Sequence, residues 1–260
     1  MPRFPRWLYA HRGTPAELPE NTLASFERAF ELGADVLETD AHITSDGHVV
    51  LSHDADVSRT AGVAGLIARC TLSDVQRWDV GWGWTDRAGA RPFAGRGFRI
   101  PSLEQALTAL PTARFNIDLK AAQRSMAPAI VASVHRLSAS DRVRLTSFSS
   151  GTLRRIRALG YTGPLGLGQA DVVALRFVPE SFLRRRKAFE ATAAQIPVAA
   201  GPVRLDTRAF IAKCHELGVR VDYWTINDED QARALLALGA DGIVTDDPAR
   251  LAPVVRSFGG

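Results

Sequence analysis

The sequence predicts an α/β protein of the (β/α)8 class, a TIM barrel, and three observations support this prediction. Short apolar runs typical of β-strands alternate with segments of helical periodicity along the 260 residues. A Leu-Gly pair closes a predicted helix just before a strand four times, at Gly33, Gly160, Gly218 and Gly239, where glycine can take the left-handed cap conformation. Polar residues follow several of the apolar runs, and the active sites of such barrels lie at these strand ends.

Eight barrel strands are predicted from the short apolar runs. In chain order they cover residues 7–10, 35–40, 115–120, 143–148, 164–167, 194–198, 219–225 and 242–245. The turn signal Ser45-Asp46-Gly47 adds a hairpin in which residues 49–51 return along the second strand. An open doubly wound sheet would show the same alternation, but no Gly-x-Gly-x-x-Gly motif follows the first strand, so the barrel is favoured.

Helices are predicted in most connections between these strands. Asn21 or Thr22 is a suitable N-cap for the first helix, which Leu32 ends. Ser102 with Gln105 three residues later is a capping-box pattern. Further helices are predicted over residues 102–110, 130–137, 153–159, 178–191, 206–217 and 228–238.

The chain is predicted to form one catalytic barrel domain over residues 1–260, with a small irregular insertion after the second strand at about residues 55–100. The insertion is rich in Gly, Trp and Arg and contains one predicted short helix near residues 72–78. A loop of this length is usually functional or mobile. Its aromatic side chains could line a substrate entrance or cap a small satellite core, and the sequence leaves both interpretations open.

The composition narrows the class of protein. Hydrophobic residues make up 46% of the chain, which predicts a sizeable core and excludes wholesale disorder. The net charge of +4 is too small to indicate nucleic-acid binding. Cys70 and Cys214 have no Cys-x-x-Cys spacing, and no apolar run has signal-peptide or membrane-spanning length. The expected location is therefore the cytoplasm.

Three carboxylates predict a cation site. Glu38 and Asp40 lie two residues apart on one strand and therefore share a face, and Asp118 ends the next barrel strand. Oxygen ligands of this kind suit one divalent cation, Mg²⁺ or Ca²⁺. Zinc is disfavoured because no His or Cys cluster has ligand spacing. The alternative is that these are solvated carboxylates at strand ends.

Histidines and cations accompany these carboxylates. His11 and His53 follow strands, and imidazole can act as general acid or base near neutral pH. His42 shares the face of Glu38 and Asp40 if their strand stays regular. Arg12 and Lys120 are candidate phosphate contacts, although both could simply form ion pairs with the carboxylates.

Together these motifs resemble the glycerophosphodiester phosphodiesterase family over nearly the whole chain. The motifs that carry the resemblance are His11-Arg12-Gly13, Pro19-Glu20-Asn21-Thr22, Glu38-Thr39-Asp40, Thr44-Ser45-Asp46-Gly47, Val49-Val50, His53-Asp54, Ile100-Pro101-Ser102-Leu103-Glu104, Asn116-Ile117-Asp118-Leu119-Lys120, Trp224-Thr225-Ile226-Asn227 and Asp241-Gly242-Ile243. The resemblance implies a metal-dependent TIM-barrel enzyme that hydrolyses glycerophosphodiesters to glycerol 3-phosphate and an alcohol. It also implies a role for each candidate: His11 and His53 as the acid–base pair, Glu38, Asp40 and Asp118 as metal ligands, and Arg12, Lys120 and Trp224 as substrate contacts.

One position departs from the family pattern, because members most often carry Glu where this chain has Asp118. Aspartate keeps the charge but shortens the reach by one methylene. Related sphingomyelinase-D-like phosphodiesterases carry Asp there, so the substrate class stays open at this point.

Two other functions are kept as alternatives. The first is a lysophospholipase D or other phospholipid phosphodiesterase, supported by the insertion and by the basic run Arg184-Arg185-Arg186-Lys187 beside Phe182. This run could contact anionic lipid headgroups or be a solvated helix face. The second is a silent barrel that only binds phosphodiesters, against which the complete set of histidines and carboxylates argues. The expected partner is a small-molecule substrate, and the sequence does not determine the oligomeric state.

No Ser, Thr or Cys is paired with a base at a strand end, and Thr14 has no evident partner. The sequence therefore favours attack on phosphorus by a hydroxyl group of the substrate itself. In a glycerophosphodiester the neighbouring glycerol hydroxyl can close a five-membered cyclic phosphate. Direct attack by water remains the competing route.

Overall fold

The computed structural model describes residues 4–120, 125–185 and 191–259. The strands in these ranges are β1 (Trp7–His11), β2 (Val36–Ile43), β3 (Val49–Leu51), β4 (Arg114–Leu119), β5 (Val143–Thr146), β6 (Ala193–Ile196), β7 (Ala199–Ala200), β8 (Val203–Arg204), β9 (Arg220–Tyr223) and β10 (Gly242–Thr245). The helices are α1 (Leu23–Glu31), α2 (Ser58–Ala61), α3 (Leu72–Val75), α4 (Leu103–Ala109), α5 (Met126–Arg136), α6 (Ser150–Ala158), α7 (Gln169–Phe177), α8 (Glu180–Arg185), α9 (Arg208–Glu216), α10 (Glu229–Leu238) and α11 (Pro248–Arg256).

The strands form a closed parallel barrel. Seven of them pair in the order β5-β4-β2-β1-β10-β9-β6, each parallel to its neighbour. Between β5 and β6, Leu165 forms a parallel bridge with Leu145, and Gly166 forms one with Ala193. Residues 164–167 therefore take the place of the fifth barrel strand, and the predicted (β/α)8 fold is confirmed.

This fifth position is short for a steric reason. Pro164 has no backbone N–H to donate to the ladder. A Cβ atom on Gly166 would lie 2.5 Å from the Thr146 side chain on β5, so only glycine permits the approach of the two backbones. The N–H of Gly166 still donates to the carbonyl of Leu145 at 3.0 Å.

The predicted starts and ends of helices agree with several observed caps. The Thr22 side chain accepts a hydrogen bond from the Ser25 N–H at the start of α1. Ser102 and Gln105 form the predicted capping box of α4. The four glycines of the Leu-Gly pairs all have positive φ angles, as predicted, and each ends a helix before a strand.

A buried polar layer fills the barrel below the strand ends. Tyr9 donates its hydroxyl to Asp222 Oδ2 at 2.8 Å, and Arg144 donates Nη1 to the Tyr9 hydroxyl at 2.8 Å. Burial raises the pKa of Tyr9, so it stays neutral. Tyr9, Arg144 and Asp222 each lie two residues before a residue that lines the cavity, namely His11, Thr146 and Trp224. Residues two apart on a strand point to the same side, so the polar layer lies directly below the cavity in the barrel interior.

The insertion is more ordered than predicted. Besides α3, which lies where one short helix was expected, it contains α2 and two 3₁₀ turns at Ile67–Arg69 and Val80–Gly83. Val57, Ile67 and Val75 are fully buried in a small cluster of their own, against which Trp78 packs. Of the two interpretations, the satellite core is therefore the one that the structure shows.

The prediction of one helix over residues 178–191 is wrong at its start. Helix α7 begins nine residues earlier, and Pro179, which cannot continue a helix, separates it from α8. The later part of the predicted helix, with Arg186 and Lys187 of the basic run, lies outside the described residues. Helix α11 was not predicted, although Asp247 followed by Pro248 is a helix-start signal. Within the described ranges, no helix is long and apolar enough to cross a membrane.

Candidate active site

One cavity of about 640 Å³ opens at the C-terminal ends of the barrel strands. All eight candidate residues line it: His11, Arg12, Glu38, Asp40, His53, Asp118, Lys120 and Trp224. The parallel strands place all but His53 together because their carboxyl ends share one rim of the barrel, and the antiparallel strand β3 returns the chain to this rim at His53. Their individual roles stay predictions.

His11 is held at the end of β1 by a carboxylate. Its Nδ1 lies 2.6 Å from Asp246 Oδ1, and Asn227 donates Nδ2 to the other oxygen of Asp246 at 2.7 Å. A carboxylate can only accept, so Nδ1 carries the proton and Nε2 faces Glu38 at 4.0 Å. Burial acts to lower the pKa of His11, but the hydrogen bond to Asp246 and the charge of Glu38 outweigh it, so the pKa is raised.

His53 has the same arrangement just beyond β3. Its Nδ1 lies 2.8 Å from Asp54 Oδ1, so Nε2 is again the nitrogen left for a ligand. His42 is close to this pair but is not among the residues that line the cavity in the described ranges. Its Nε2 lies 3.1 Å from the backbone carbonyl of His53. Burial lowers the pKa of His42, which suits a neutral ring that supports the His53 backbone.

The three carboxylates are crowded and poorly solvated. Asp40 on β2 pairs with Asp118 on β4 in the parallel ladder, and Lys120 Nζ lies 3.1 Å from Asp40 Oδ1 and 2.9 Å from Asp118 Oδ2. Burial, followed by the charge of Asp40, raises the pKa of Glu38 to about 8. Burial also raises the pKa of Asp118, and the Lys120 ammonium offsets only part of this effect.

The donor chemistry of this cluster fits a hard cation. Glu38 Oε2 and Asp40 Oδ2 are buried and accept no hydrogen bond, and an unpaired buried carboxylate oxygen is unfavourable unless a positive charge compensates it. As the side chains stand, however, no group of three His, Cys, Asp or Glu residues in the described parts of the chain is arranged to hold a metal ion. Cation binding would therefore require side-chain movement.

Both candidate phosphate contacts form ion pairs with carboxylates. Arg12 Nη1 lies 3.3 Å from Glu20 Oε1, and Arg12 Nε lies 3.6 Å from Asp40 Oδ2. Arg12 and Lys120 therefore both form ion pairs with carboxylates, which is the arrangement that the sequence analysis gave as the alternative to phosphate binding. The two cations still line the cavity, so a phosphate could replace the carboxylates as their partner.

Several residues of the site were not predicted from the sequence. Asp246 directly follows β10, so the rule that functional residues follow barrel strands could have identified it. Asn227, which orients Asp246, lies four residues after β9. Arg59, in the insertion, donates Nε to Asp54 Oδ2 at 2.5 Å. Asn227 belongs to the motif Trp224-Thr225-Ile226-Asn227, which could have indicated it, whereas Arg59 shows no sequence signal for such a contact.

The other half of the cavity has an apolar wall. Its side chains come from residues 167–177, from β6 and from the segment that follows β6, and the apolar ones include Leu167, Val172, Val173, Phe177, Ile196 and Pro197. Phe148, Val173 and Phe177 are 61%, 51% and 63% exposed. Because these three also line the cavity, they form part of its mouth.

Comparison with known proteins gives relatives that match along most of their length. A glycerophosphodiester phosphodiesterase of Caldanaerobacter subterraneus subsp. tengcongensis is 29% identical over 256 residues, covering 96% of this chain and 98% of that protein. A glycerophosphodiester phosphodiesterase of Bacillus altitudinis is 29% identical and covers 94% and 95%. Lysophospholipase D GDPD1 of Homo sapiens is 26% identical and covers 96% and 86%.

Solved structures share the fold. A glycerophosphodiester phosphodiesterase from Agrobacterium tumefaciens superposes with a TM-score of 0.76 at 23% identity, covering 97% of this chain and 99% of that one. A phosphodiesterase of Oleispira antarctica, solved with its product sn-glycerol-3-phosphate, has a TM-score of 0.72 at 23% identity and covers 97% of each chain. Residues 11–250 match the Glycerophosphoryl diester phosphodiesterase family. The chain therefore belongs to this family of phosphodiester-hydrolysing enzymes.

Proposed function

We propose that this protein hydrolyses glycerophosphodiesters to glycerol 3-phosphate and an alcohol by acid–base catalysis with His11 and His53. The observation that carries the proposal is the pair of histidines, each with Nδ1 on a carboxylate, in one cavity with Arg12 and Lys120. Family membership supports the reaction class. The glycerol 3-phosphate bound to the Oleispira antarctica relative supports the product.

The two histidines differ in a way that suggests separate roles. The raised pKa of His11 favours the protonated imidazolium near neutral pH, so His11 is suited to protonate the departing alcohol through Nε2. His53 then acts as the base through its own Nε2. Arg12 and Lys120 would bind the phosphate oxygens, since both already face the cavity with anionic partners.

Glu38, Asp40 and Asp118 would hold one divalent cation, Mg²⁺ or Ca²⁺. When bound, such an ion would neutralise charge on the phosphate and lower the pKa of the attacking hydroxyl. Glu38 Oε2 and Asp40 Oδ2, which accept no hydrogen bond, and the raised pKa of Glu38 support this assignment, because a cation would stabilise the ionised carboxylates.

The reaction itself is tested with a substrate panel. Glycerophosphocholine, glycerophosphoethanolamine and glycerophosphoglycerol are incubated with the enzyme and several divalent metals, and glycerol 3-phosphate is quantified. Release of glycerol 3-phosphate is expected. From glycerophosphocholine or glycerophosphoethanolamine, release of the phosphorylated alcohol with free glycerol would contradict the proposed cleavage position. No turnover with any pair of substrate and metal would contradict the function.

Removal of divalent cations is expected to abolish most activity, because Glu38, Asp40 and Asp118 would then be left crowded in one mouth. Turnover of glycerophosphocholine is measured after chelator dialysis and again after addition of Mg²⁺ or Ca²⁺. Calorimetric titration of the ion into wild type and Glu38→Gln gives a second readout, with weaker binding expected in the variant. Full activity of the chelated enzyme would contradict metal dependence.

Asp246→Asn is expected to move the basic limb of the pH profile to lower pH. The Asp246 carboxylate stabilises the protonated form of His11, so its loss lowers the pKa of the imidazole, and the acid is deprotonated at a lower pH. A shift of roughly one unit is expected, the usual size for loss of an adjacent charge. kcat/KM is measured from pH 5 to 9, with the exposed Asp230→Asn as control. An unchanged limb would exclude Asp246 from this role.

A second candidate function, lysophospholipase D activity, is favoured by the apolar wall of the cavity. An acyl chain could lie against Val173 and Phe177 while the phosphodiester reaches the histidines. One family member, from Homo sapiens, carries the name lysophospholipase D. The polar half of the cavity would bind the phosphodiester group of both substrates. Only the apolar wall would distinguish a lysophospholipid, which has an acyl chain, from a glycerophosphodiester without one.

Phe177→Ser is expected to lower kcat/KM for lysophosphatidylcholine by about tenfold, the effect of losing part of a buried aromatic contact. The same variant should leave hydrolysis of glycerophosphocholine unchanged, because that substrate has no acyl chain. Phe258→Ser is the matched control, since Phe258 is also exposed but does not line the cavity. Equal effects on both substrates, or no turnover of the lysolipid, would exclude the acyl site.

A further inference from the structure

Arg59, on helix α2 of the insertion, connects two loops of the site through its guanidinium group. Its Nε donates to Asp54 Oδ2 at 2.5 Å. Its Nη1 and Nη2 donate to the two oxygens of Glu20 at 2.9 Å and 2.7 Å. All three guanidinium nitrogens of Arg59 therefore donate to carboxylates, one to Asp54 and two to Glu20.

Each of these carboxylates also contacts a candidate functional residue. Asp54 accepts from His53 Nδ1 with its other oxygen, and Glu20 accepts from Arg12 Nη1 at 3.3 Å. These contacts form a row of acidic and basic side chains that runs from His53 to Asp40, one of the candidate metal ligands. In order, its members are His53, Asp54, Arg59, Glu20, Arg12 and Asp40.

We propose that Arg59 is a positioning residue for His53 and Arg12, acting through Asp54 and Glu20. This inference rests on the proposed acid–base role of His53. It assigns a function to the insertion, which contributes no residue to the cavity lining within the described ranges but holds residues that do. It also explains why Arg59 is directed away from the satellite core and toward the barrel rim.

At the His53 end, Arg59 limits the orientation of Asp54. The Asp54 side chain is only partly buried, 30% exposed, so without Arg59 it could rotate away and free Nδ1. Burial would raise the pKa of Asp54, but the hydrogen bonds from His53 and Arg59 lower it. Asp54 therefore stays an acceptor across the neutral range, so the neutral His53 ring is held in the tautomer that carries its proton on Nδ1 and has its lone pair on Nε2.

At the Arg12 end, the backbone already brings Glu20 close. Arg12 and Asn21 have φ angles of 58° and 54°, a region that non-glycine residues adopt only when their surroundings hold them there. The Asn21 N–H donates to the Arg12 carbonyl at 2.9 Å, and Thr39 Oγ1 donates to Asn21 Oδ1 at 2.6 Å. The loop thus presents Glu20 as a fixed anchor for Arg59.

The contacts of Arg59 are suited to positioning rather than to stability. Its side chain is 50% exposed, and ion pairs at exposed sites contribute little to stability. Helix α2 is held separately by the buried side chain of Val57, and the ring of Trp82 packs against Gly62. Loss of Arg59 should therefore change the site more than the fold. Lysine should be a poor replacement, because it lacks the planar fork that binds two carboxylates.

The kinetic test compares Arg59→Ala, Arg59→Lys and Arg87→Ala with wild type, using glycerophosphocholine. Arg87 lies in the same insertion, is exposed, and forms no ion pair or hydrogen bond with a side chain among the described residues. kcat is expected to fall by about tenfold in Arg59→Ala, to recover only in part in Arg59→Lys, and to stay unchanged in Arg87→Ala. Thermal unfolding should stay within a few degrees of wild type for all three variants.

A double-mutant cycle shows whether Arg59 acts through Asp54. Asp54→Asn alone should lower kcat, and adding Arg59→Ala should then cost less than it does in wild type, because only the contact with Glu20 is left to lose. Fully additive losses would overturn the proposed route through Asp54.

The second readout needs no substrate. Long-range ¹H–¹⁵N spectra of the imidazoles should show the Nδ1–H tautomer of His53 in wild type and a shift toward Nε2–H in Arg59→Ala, with His11 unchanged. An unchanged His53 tautomer in Arg59→Ala would overturn the proposal. If the wild-type enzyme hydrolysed no glycerophosphodiester, the proposed function would fail while the tautomer experiment would still decide the role of Arg59.

Discussion

Replacing His11 or His53 with alanine is expected to lower turnover by about 10²–10⁴-fold, the range typical of acid–base groups. Each imidazole has its Nδ1 on a carboxylate and its Nε2 available to the cavity. Alanine removes the only proton-transfer atom that each position offers. The fold should be retained, because the two side chains are 19% and 33% exposed and do not belong to the apolar core.

The measurement is kcat with glycerophosphocholine at saturating Mg²⁺ or Ca²⁺, together with thermal unfolding of each variant. His48→Ala is the matched control, since His48 lies in an exposed turn with 51% of its side chain accessible, and its activity should equal wild type. Near-normal turnover in His11→Ala or His53→Ala would remove that residue from the mechanism.

A glycerophosphodiester whose 2-hydroxyl is replaced by hydrogen is expected to bind but to turn over at least about 10³-fold more slowly, since intramolecular attack has a large advantage over attack by free water. Among the described residues that line the cavity, no hydroxyl or thiol is hydrogen-bonded to a histidine that could activate it as a nucleophile. Thr146 Oγ1 donates to the carbonyl of Ile117 and lies 3.5 Å from Asp118 Oδ1, and Ser147 Oγ donates to the carbonyl of Leu119. Neither has a hydrogen bond to a histidine among the described residues.

In this route the substrate attacks its own phosphorus. His53 takes the proton of the 2-hydroxyl, the oxygen bonds to phosphorus and closes a five-membered cyclic phosphate, and the bond to the alcohol breaks. His11 gives its proton to the departing alcohol oxygen. Water then opens the ring with the two histidines in exchanged roles, which yields glycerol 3-phosphate and restores both protonation states.

The deoxy analogue separates this route from direct attack by water. It should inhibit hydrolysis of the parent competitively with an inhibition constant near the parent's KM, while its own turnover is followed by phosphorus NMR. The same spectra of the parent reaction should show a transient cyclic phosphate. Hydrolysis of the analogue at a rate close to that of the parent would mean that water attacks phosphorus directly.

Local patterns identified much of the fold and many of the candidate residues. Strand and helix periodicities depend on residues close in sequence, so the barrel strands, the cap at Thr22 and the capping box at Ser102 could be predicted. The shared cavity could be predicted as well, because parallel strands bring their carboxyl ends to one rim. His11, Glu38 and Asp118 therefore lie together as expected.

Other features depend on contacts between distant parts of the chain. The fifth barrel position is formed by two single bridges, and the helix expected over residues 178–191 begins earlier and is interrupted at Pro179. Two aromatic residues of the insertion, Trp78 and Phe98, pack against a satellite core. The local sequence pattern does not distinguish these three features from the longer strand, the continuous helix and the substrate entrance that it also permits.

The sequence by itself determined the fold class and the eight candidate side chains that reach the barrel rim, since both follow from backbone periodicity and from the polarity of single residues. Only the tertiary structure decided how those side chains are paired. His11 meets Asp246 across 235 residues of chain, and Arg59 meets Glu20 across 39. A hydrogen bond between such residues depends on the three-dimensional path of loops, to which neither periodicity nor residue type gives access. The orientation of His11 by Asp246, and the contact of Arg59 with Glu20, therefore became visible only in the folded chain.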